Sequence, residues 1–376
     1  MKKQLELYIH IPFCMKKCEY CDFLSGPANR QRQREYVEAL CREIQACTEY
    51  KEYEVSSIFF GGGTPSIFPG EWLAEIMQEI YNQFDVLETA EISIEANPGT
   101  VTAEKLYQYR NAGVNRISFG CQSADNKELK MLGRIHTWEE FLESFDMARA
   151  AGFTNINVDL MSGLPEQSLQ TWEQSLEKVA ALNPEHISAY SLIVEEGTPF
   201  AHQELNLPDE EEERQMYENT AEILGKYGYY QYEISNYAKE GYACRHNCGY
   251  WGRTEYLGIG LGSASLVNET RFSNTSDMDV YLKHCEEPSE IREDIQVLSQ
   301  IEQMEEFMFL GLRMSEGVSE QIFFEKFGRT LEAVYGNVVK KYVELGLLEW
   351  KEENLRLTRA GISVSNQIFA DFLMDE

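Results

Sequence analysis

Residues 7–22, LYIHIPFCMKKCEYCD, decide how this chain of 376 residues is interpreted. An apolar, isoleucine-rich run typical of a buried β-strand leads directly into three cysteines, Cys14, Cys18 and Cys21, with the spacing CxxxCxxC. With nine cysteines in the chain, this spacing arises by chance in roughly 0.5% of such sequences. Three thiolates within eight residues suit an iron–sulfur cubane, whose fourth iron stays open to another ligand.

Two other interpretations of the cysteine triplet stay open at this point. A zinc site needs a fourth protein ligand, for which His10 or Asp22 is available. The triplet is otherwise a loop of buried cysteines. The remaining six cysteines form one pair and four scattered residues, which are Cys244, Cys248, Cys41, Cys47, Cys121 and Cys285. They are too few in so long a chain to form a disulfide scaffold.

Outward from this stretch, apolar runs alternate with amphipathic segments as far as about residue 235. The strand candidates are residues 7–12, 56–65, 91–98, 116–123, 155–165 and 186–193. Six strand–helix units in a row predict an α/β fold with parallel pairing, which is either a TIM-like (β/α) barrel, complete or partial, or a doubly wound sheet. Small or ionisable residues end most strands, at residues 61–63, Glu95, Gln122 and Asp159. Only a barrel brings all these ends to one face, so the barrel is favoured.

Three regions are expected along the chain. Residues 1–235 form the barrel with its cysteine loop, and residues 236–289 form a connecting segment with an irregular stretch rich in Cys, His, Asn, Trp and Gly. Residues 290–376 read as three helices, a hairpin and a final helix, which predicts a small, mostly helical, winged-helix-like domain. Such modules usually bind DNA, but this one has 17 acidic and 9 basic residues, so a packing or lid domain is predicted.

Charge and hydropathy exclude several classes of protein. The 63 acidic and 33 basic residues give a net charge of −30, which argues against nucleic-acid binding and against docking on an anionic membrane by charge. No apolar run approaches the roughly 20 residues needed to span a bilayer, so an integral membrane protein is not expected. The start of the chain, MKKQLELYIH, lacks the apolar region of a signal peptide. A cytoplasmic protein is expected.

The cysteine loop and the glycine-rich turn together resemble a known protein family. A CxxxCxxC loop after the first strand of a (β/α) barrel, followed by a glycine-rich turn after the second, resembles the radical S-adenosylmethionine (SAM) superfamily. The phrases YIHIPFC, FFGGGTPS and ISIEANP are similar to the anaerobic coproporphyrinogen oxidase family and, within it, to a branch of heme chaperones. The resemblance implies a [4Fe–4S] cluster on Cys14, Cys18 and Cys21, bound SAM, and an electron donor as a partner.

Site residues for SAM follow from the same resemblance. Those implied to flank or contact SAM are Tyr8, Tyr20, Gly62, Gly63, Thr64, Glu95, Gln122, Arg134 and Asp159. Within this set, the glycine turn meets the methionyl amino group, since only glycine allows such close approach. Arg134 grips the SAM carboxylate with its planar fork, while Glu95, Gln122 and Asp159 contact the amino group and the ribose hydroxyls.

Two departures separate this chain from the oxidases of that family. The oxidases carry a fourth cysteine two residues after the third, where this chain has Phe23, and a long segment ahead of the barrel. Only seven residues precede Tyr8, so that segment is expected to be missing. The resemblance therefore implies a heme chaperone that delivers heme to an apo-hemoprotein. The alternative is an oxygen-independent coproporphyrinogen III oxidase, or another radical enzyme acting on a tetrapyrrole. A nucleic-acid-reading regulator is disfavoured by the charge.

A second motif supports the chaperone branch. Residues 246–251 match its HNxxYW pattern, which nominates His246, Asn247, Tyr250 and Trp251 for heme binding. Imidazole is a natural axial ligand of heme iron, although a single buried histidine is also a common structural residue, and Cys244 or Cys248 is an alternative thiolate ligand. A glycine-rich segment that usually contains a histidine in the family has Ala264 at that position, which puts the affinity or geometry of the heme site in doubt.

Overall fold

The computed structural model describes residues 2–374, so Met1, Asp375 and Glu376 at the ends of the predicted regions lie outside the described residues. The strands are β1 (Lys3–Ile11), β2 (Tyr53–Gly62), β3 (Val86–Ala96), β4 (Arg116–Gln122), β5 (Ile156–Ser162), β6 (His186–Ser191), β7 (Tyr230–Glu233), β8 (Asn236–Ala238), β9 (Tyr256–Ile259), β10 (Ala264–Val267), β11 (Thr270–Asn274), β12 (Arg292–Val297), β13 (Val318–Ser319), β14 (Leu348–Lys351) and β15 (Asn354–Leu357). The α-helices are α1 (Arg30–Ala46), α2 (Gly70–Gln83), α3 (Ala103–Asn111), α4 (Asn126–Met131), α5 (Trp138–Ala150), α6 (Leu169–Ala181), α7 (Glu210–Lys226), α8 (Arg245–Trp251), α9 (Met278–His284), α10 (Pro288–Ile291), α11 (Gln300–Gly311), α12 (Glu320–Phe327), α13 (Leu331–Glu344), α14 (Arg359–Ser363) and α15 (Ser365–Ala370).

Strands β1 to β6 pair in parallel and in chain order, with at least one helix between each consecutive pair. This is the predicted partial (β/α) barrel, which the structure confirms. The strand order runs β12-β11-β10-β9-β1-β2-β3-β4-β5-β6-β8-β7 with two free ends, so over residues 2–374 the barrel is not closed. Because β1 to β6 are all parallel, their carboxyl ends lie at one face of the partial barrel.

Strand β1 illustrates why these sequences form barrel strands. Its alternate residues Leu5, Leu7 and Ile9 are fully buried in the apolar core beneath the helices. Because successive side chains of a strand point to opposite faces, Glu6 and Tyr8 lie on the inner face of the sheet. The inner face is therefore polar, and this leaves room for a site within the barrel.

The segment predicted as a connection contributes to the same sheet. Strand β9 pairs in parallel with β1, with Tyr256 opposite Glu6 and Ile259 opposite Ile9, and β10, β11 and β12 continue the sheet in antiparallel order. Helix α8, which carries the HNxxYW motif, packs against the inner face of the barrel, where His246 contacts Ser57 of β2.

The C-terminal region forms a module with its own apolar core. Helices α11, α12 and α13 pack against a three-stranded antiparallel sheet in the order β13-β15-β14, and this confirms the predicted winged-helix-like domain. Arg253, which precedes β9, joins the two regions because its Nε donates to Glu306 of α11 over 2.9 Å. Within residues 2–374, no helix has both the length and the hydropathy to cross a membrane.

Candidate functional site

The cysteine loop follows β1 at the carboxyl face of the barrel. The amide of Cys14 donates to Gly26 O over 3.0 Å, and the amide of Gly26 donates to Pro12 O over 3.0 Å, so the loop returns to its own starting point. Glu19 N donates to Leu132 O over 3.1 Å and fixes the middle of the loop against the end of α4. The Cys14, Cys18 and Cys21 thiols, with no disulfide, are half-buried.

The three thiols are chemically suited to a cubane cluster, and two of their sulfurs accept hydrogen bonds. They line one cavity of about 140 Å³, which we call the outer cavity. Thr64 Oγ1 donates to Cys14 Sγ over 3.4 Å and Arg134 Nη1 donates to Cys18 Sγ over 3.6 Å. Over residues 2–374 no three Cys, His, Asp or Glu side chains converge on a single ion. A cubane does not require such convergence, since each cysteine binds its own iron.

His10, one of the two residues considered as a fourth zinc ligand, is engaged elsewhere. Its Nε2 lies 3.0 Å from Leu24 O and its Nδ1 lies 3.1 Å from the Tyr8 hydroxyl. Burial lowers the pKa of His10, so the ring is held neutral between these two partners. Metal ligation by His10 would cost at least one of the two hydrogen bonds.

The glycine turn at the end of β2 packs directly on the cysteine loop. Gly63 N donates to Ile11 O and Thr64 N to Phe13 O, both over 2.8 Å. A Cβ on Gly63 would lie 2.6 Å from Phe13 O, so a side chain at this position requires the backbone to move. Gly62 has φ +106°, a conformation that favours glycine, and its amide donates to Glu95 Oε2 over 3.2 Å.

The structure brings the strand-end residues together at this turn. Besides the three cysteines, the outer cavity is lined by the predicted SAM residues Tyr20, Gly62, Gly63, Thr64, Glu95, Gln122, Arg134 and Asp159. Arg134 is anchored by a 2.6 Å hydrogen bond from Nη2 to Asn97 Oδ1. Gln122 has φ +71°, an uncommon backbone conformation for a residue with a side chain. Tyr8 is the predicted SAM residue that does not line this cavity.

The two carboxyl groups of the outer cavity, those of Glu95 and Asp159, have pKa values above the ordinary range. Burial raises the pKa of Glu95 to about 8, and nearby Asp159 adds to the shift. Glu95 therefore keeps its proton at neutral pH and is able to donate a hydrogen bond. Burial also raises the pKa of Asp159, against hydrogen bonds from Asn157 and Ser118 that lower it.

A second cavity, of about 170 Å³, adjoins the first, and we call it the inner cavity. It shares Glu95, Ser118 and Asp159 with the outer cavity, and Tyr8 lines it. Its wall includes Arg116, which the sequence analysis did not select. The only signal for Arg116 was its place on the inner face of a predicted strand.

The HNxxYW motif is divided between the inner cavity and the protein interior. Asn247 and Tyr250 line the inner cavity, together with the edge of His246. The His246 ring is 1% exposed, and its nitrogens lie 2.8 Å from Ser57 Oγ and 3.0 Å from the Tyr250 hydroxyl. Burial, with help from Arg116, lowers the pKa of His246 to about 3. If His246 ligated heme iron, one of its ring nitrogens would have to give up its contact with Ser57 or Tyr250.

The other members of that region have structural contacts. The Trp251 ring lies 4.3 Å from the Arg313 guanidinium of the C-terminal module, and it does not line the inner cavity. Arg253 is ion-paired with Glu306 and Glu269, so its charge is already compensated. Ala264 begins β10.

Comparison with known proteins gives matches over most of the chain. A model of the Radical SAM superfamily matches residues 8–179, and a model of the HemN C-terminal domain matches residues 298–364. The chain is 39% identical over 372 residues to the heme chaperone HemW of Bacillus subtilis (strain 168), covering 97% of this chain and 98% of that protein. It is 36% identical over 380 residues to the heme chaperone HemW of Lactococcus lactis subsp. lactis (strain IL1403), covering 100% and 99%.

A solved structure has the same architecture. The coproporphyrinogen III oxidase HemN of Escherichia coli, described as a radical SAM enzyme, superposes with a TM-score of 0.87. The match covers 99% of this chain and 90% of that one at 23% sequence identity. At this identity the likeness concerns the fold alone.

Proposed function

The chain belongs to the family of heme chaperones named HemW within the radical SAM superfamily, and from that premise we propose that it carries heme to apo-hemoproteins. It binds a [4Fe–4S] cluster through Cys14, Cys18 and Cys21, and binds SAM beside it. One observation carries the cofactor assignment: three free thiols and eight predicted SAM residues line the same cavity at the carboxyl face of the barrel. Such thiols stay reduced in the cytoplasm, the compartment we propose.

The side chains of the outer cavity have distinct tasks in this proposal. When bound, the cluster supplies an electron to the sulfonium of SAM, which is the chemistry typical of the superfamily. Thr64 and Arg134 donate hydrogen bonds to the sulfurs of Cys14 and Cys18. Glu95, protonated at neutral pH, has a hydroxyl that can donate and a carbonyl oxygen that can accept, which suits the amino group and ribose hydroxyls of SAM. Gly62 and Gly63 hold the backbone of β2 close to the cysteine loop.

The chaperone is favoured over the decarboxylating oxidase by the second residue after the cysteine triplet. Phe23 stands where the oxidases of the family carry a fourth cysteine, and it lines the outer cavity with 64% of its surface exposed. A phenyl ring cannot ligate iron, but it can pack against a macrocycle. We assign Asn247 and Tyr250 of the HNxxYW motif to the cavity that receives part of the heme, with His246 and Trp251 as the framework behind them.

Heme binding and transfer test this function directly. The protein is reconstituted anaerobically, titrated with hemin, and mixed with an apo-hemoprotein whose holo form has a distinct absorption spectrum. We expect a Soret band on the protein and its movement to the acceptor. In parallel, coproporphyrinogen III is supplied with SAM and a strong reductant, and we expect no protoporphyrinogen IX by mass spectrometry. Loss of two carboxyl groups that requires Cys18 would overturn the chaperone assignment in favour of the oxidase.

The remaining partners follow from charge. With a net charge of −30, the chain suits an electron donor with a basic patch and does not suit nucleic acid. A gel shift with duplex DNA at low salt is expected to show no complex. Cluster reduction by a basic donor is expected to slow as ionic strength rises, because salt screens the attraction.

A further inference from the structure

Arg116 is a buried cation with few partners. It lies on β4 with 2% of its surface exposed. Over residues 2–374 its guanidinium makes one hydrogen bond, from Nη1 to Ser93 Oγ over 3.5 Å, and its Nε is buried with no partner. It forms no ion pair within 4 Å in that part of the chain, whereas buried Arg253 forms two. A guanidinium has five N–H donors, so most of the donors of Arg116 are unused.

Arg116 nevertheless keeps its charge. Burial by itself lowers the pKa of Arg116, but the acidic groups around it, Cys244 and Glu91 first, raise its pKa above the ordinary value. Those groups act from beyond ion-pair distance. A buried charge of this kind is costly unless a counter-charge or hydrogen-bond acceptors approach it closely. Within residues 2–374, Arg116 is therefore a buried cation with unused donors and no carboxylate at ion-pair distance.

The inner cavity gives such an acceptor access to Arg116. Its volume of about 170 Å³ is below the roughly 300–1,000 Å³ of sites that enclose a whole drug-sized ligand, so it takes a side arm and not a macrocycle. At its rim, Tyr190 is 38% exposed. Glu95 on its wall is protonated at neutral pH. Burial raises the pKa of Asp159, which disfavours the charged form that would repel an anion, while hydrogen bonds from Ser118 and Asn157 act in the opposite direction.

We propose that the inner cavity is a carboxylate subsite in which the planar fork of Arg116 pairs with a propionate arm of the bound tetrapyrrole. This inference rests on the proposed function, because it takes heme as the ligand. Bidentate pairing satisfies two of the unused N–H donors at once. The macrocycle stays outside the inner cavity, at the mouth of the barrel. A second source of carboxylate is the methionyl group of SAM, which the resemblance assigns to Arg134 instead.

Ester derivatives of heme test the pairing. Hemin and hemin dimethyl ester, in which both propionates are neutral, are titrated into the reconstituted wild-type protein, Arg116→Gln and the control Arg149→Gln. We expect the wild type to bind hemin roughly 10–100-fold more tightly than the ester, as a hydrogen bond to a charged group predicts. Arg116→Gln should bind both equally, and Arg149→Gln, whose arginine pairs with Glu185, should keep the preference.

The outcomes separate this inference from the proposed function. If the wild type binds hemin and the ester equally, or if Arg116→Gln keeps the preference, the subsite is wrong while heme binding stands. If the wild type does not bind hemin, the proposed function fails, and the subsite fails with it. If Arg116→Gln weakens SAM binding in equilibrium dialysis and spares hemin, the carboxylate belongs to SAM and the proposal is overturned. Should Arg116→Gln not fold, Arg116→Lys keeps the charge without the fork and is expected to lose most of the preference.

Discussion

The hydroxyl of Tyr232 lies 2.8 Å from Nε2 of His186, and this contact begins an oriented chain of hydrogen bonds through the barrel. Nδ1 of His186 lies 2.6 Å from Asn157 Oδ1, and Asn157 Nδ2 donates to Asp159 Oδ1 over 2.7 Å. Because the amide nitrogen of Asn157 donates to Asp159, its oxygen accepts from His186, and Nε2 of His186 then accepts from Tyr232. These hydrogen bonds thereby connect Asp159, on the wall of the outer cavity, to β7, the strand at one edge of the sheet.

Removing the hydroxyl at the start of this chain should be costly. Tyr232→Phe leaves Nε2 of buried His186 without a partner, and we expect the free energy of unfolding to fall by about 1–3 kcal/mol. Tyr237→Phe is the matched control, since Tyr237 is 1% exposed and its hydroxyl has no partner over residues 2–374. That change should be neutral or stabilising. Urea unfolding measures the free energy of unfolding of both variants. Equal decreases would show that this series of hydrogen bonds does not contribute to stability.

The cysteine triplet and the scattered cysteines should respond differently to substitution. Cys18→Ala removes one of the three proposed iron ligands, so we expect loss of cluster absorbance and of most iron and sulfide after anaerobic reconstitution. Cys121→Ala removes a fully buried thiol whose Sγ contacts Ser123 O, and it should keep the cluster at some cost in stability. A full complement of iron and sulfide in Cys18→Ala would contradict the assignment of the ligands.

Two glycine substitutions should have opposite signs. A Cβ at Gly63 would lie 2.6 Å from Phe13 O, so Gly63→Ala must move the cysteine loop, and we expect a loss of about 1–3 kcal/mol. Gly225 lies inside α7 with nothing within 4 Å of an added Cβ, so Gly225→Ala should stabilise by about 0.5–1 kcal/mol. Thermal unfolding measures both changes. A tolerated Gly63→Ala would show that the cysteine loop adapts to the added Cβ.

The strands of the barrel could be predicted because their signal is local. Residues such as Leu5, Leu7 and Ile9 alternate with inner-face residues, and burial beneath helices leaves that period in the sequence. The cysteine spacing and the glycine turn are also local patterns. These local patterns were sufficient to predict the barrel and most of the residues that line the outer cavity.

The elements that were not predicted depend on distant partners. Helix α8 has seven residues, includes Gly249, and has no capping side chain of its own. Its first amides, Arg245 N and His246 N, donate to the carboxylate of Glu91, more than 150 residues earlier in the chain. Strand β9 has four residues and is ordered by pairing with β1. Neither arrangement leaves a periodic pattern in the sequence, so the burial of His246 could not be inferred.

A buried acid near α8 provides a pH-dependent prediction. Glu6 is 3% exposed, and over residues 2–374 its Oε2 makes no hydrogen bond, although it lies 3.8 Å from His246 Nδ1. Burial raises the pKa of Glu6 to about 9; a hydrogen bond from Ser57 lowers it and nearby Glu91 adds to the rise. Between its ordinary pKa near 4.5 and about 9, the folded protein holds a proton on Glu6 that the unfolded chain does not. The stability that this proton contributes is fully present below pH 4.5 and is lost as pH rises through 9.

Glu6→Gln mimics the protonated acid at every pH and removes this dependence. We expect the free energy of unfolding of the wild type to fall more steeply than that of Glu6→Gln between pH 5 and 9. The difference between them should grow by more than about 1 kcal/mol over that range, because one pKa unit corresponds to about 1.36 kcal/mol. Glu95 and Glu43, whose pKa values burial raises to about 8 and about 7, contribute to both curves and cancel in the comparison. Exposed Glu52→Gln controls for the change in net charge. Parallel curves for the wild type and Glu6→Gln would mean that Glu6 is ionised inside the folded barrel, and a cation or water would then have to reach its Oε2.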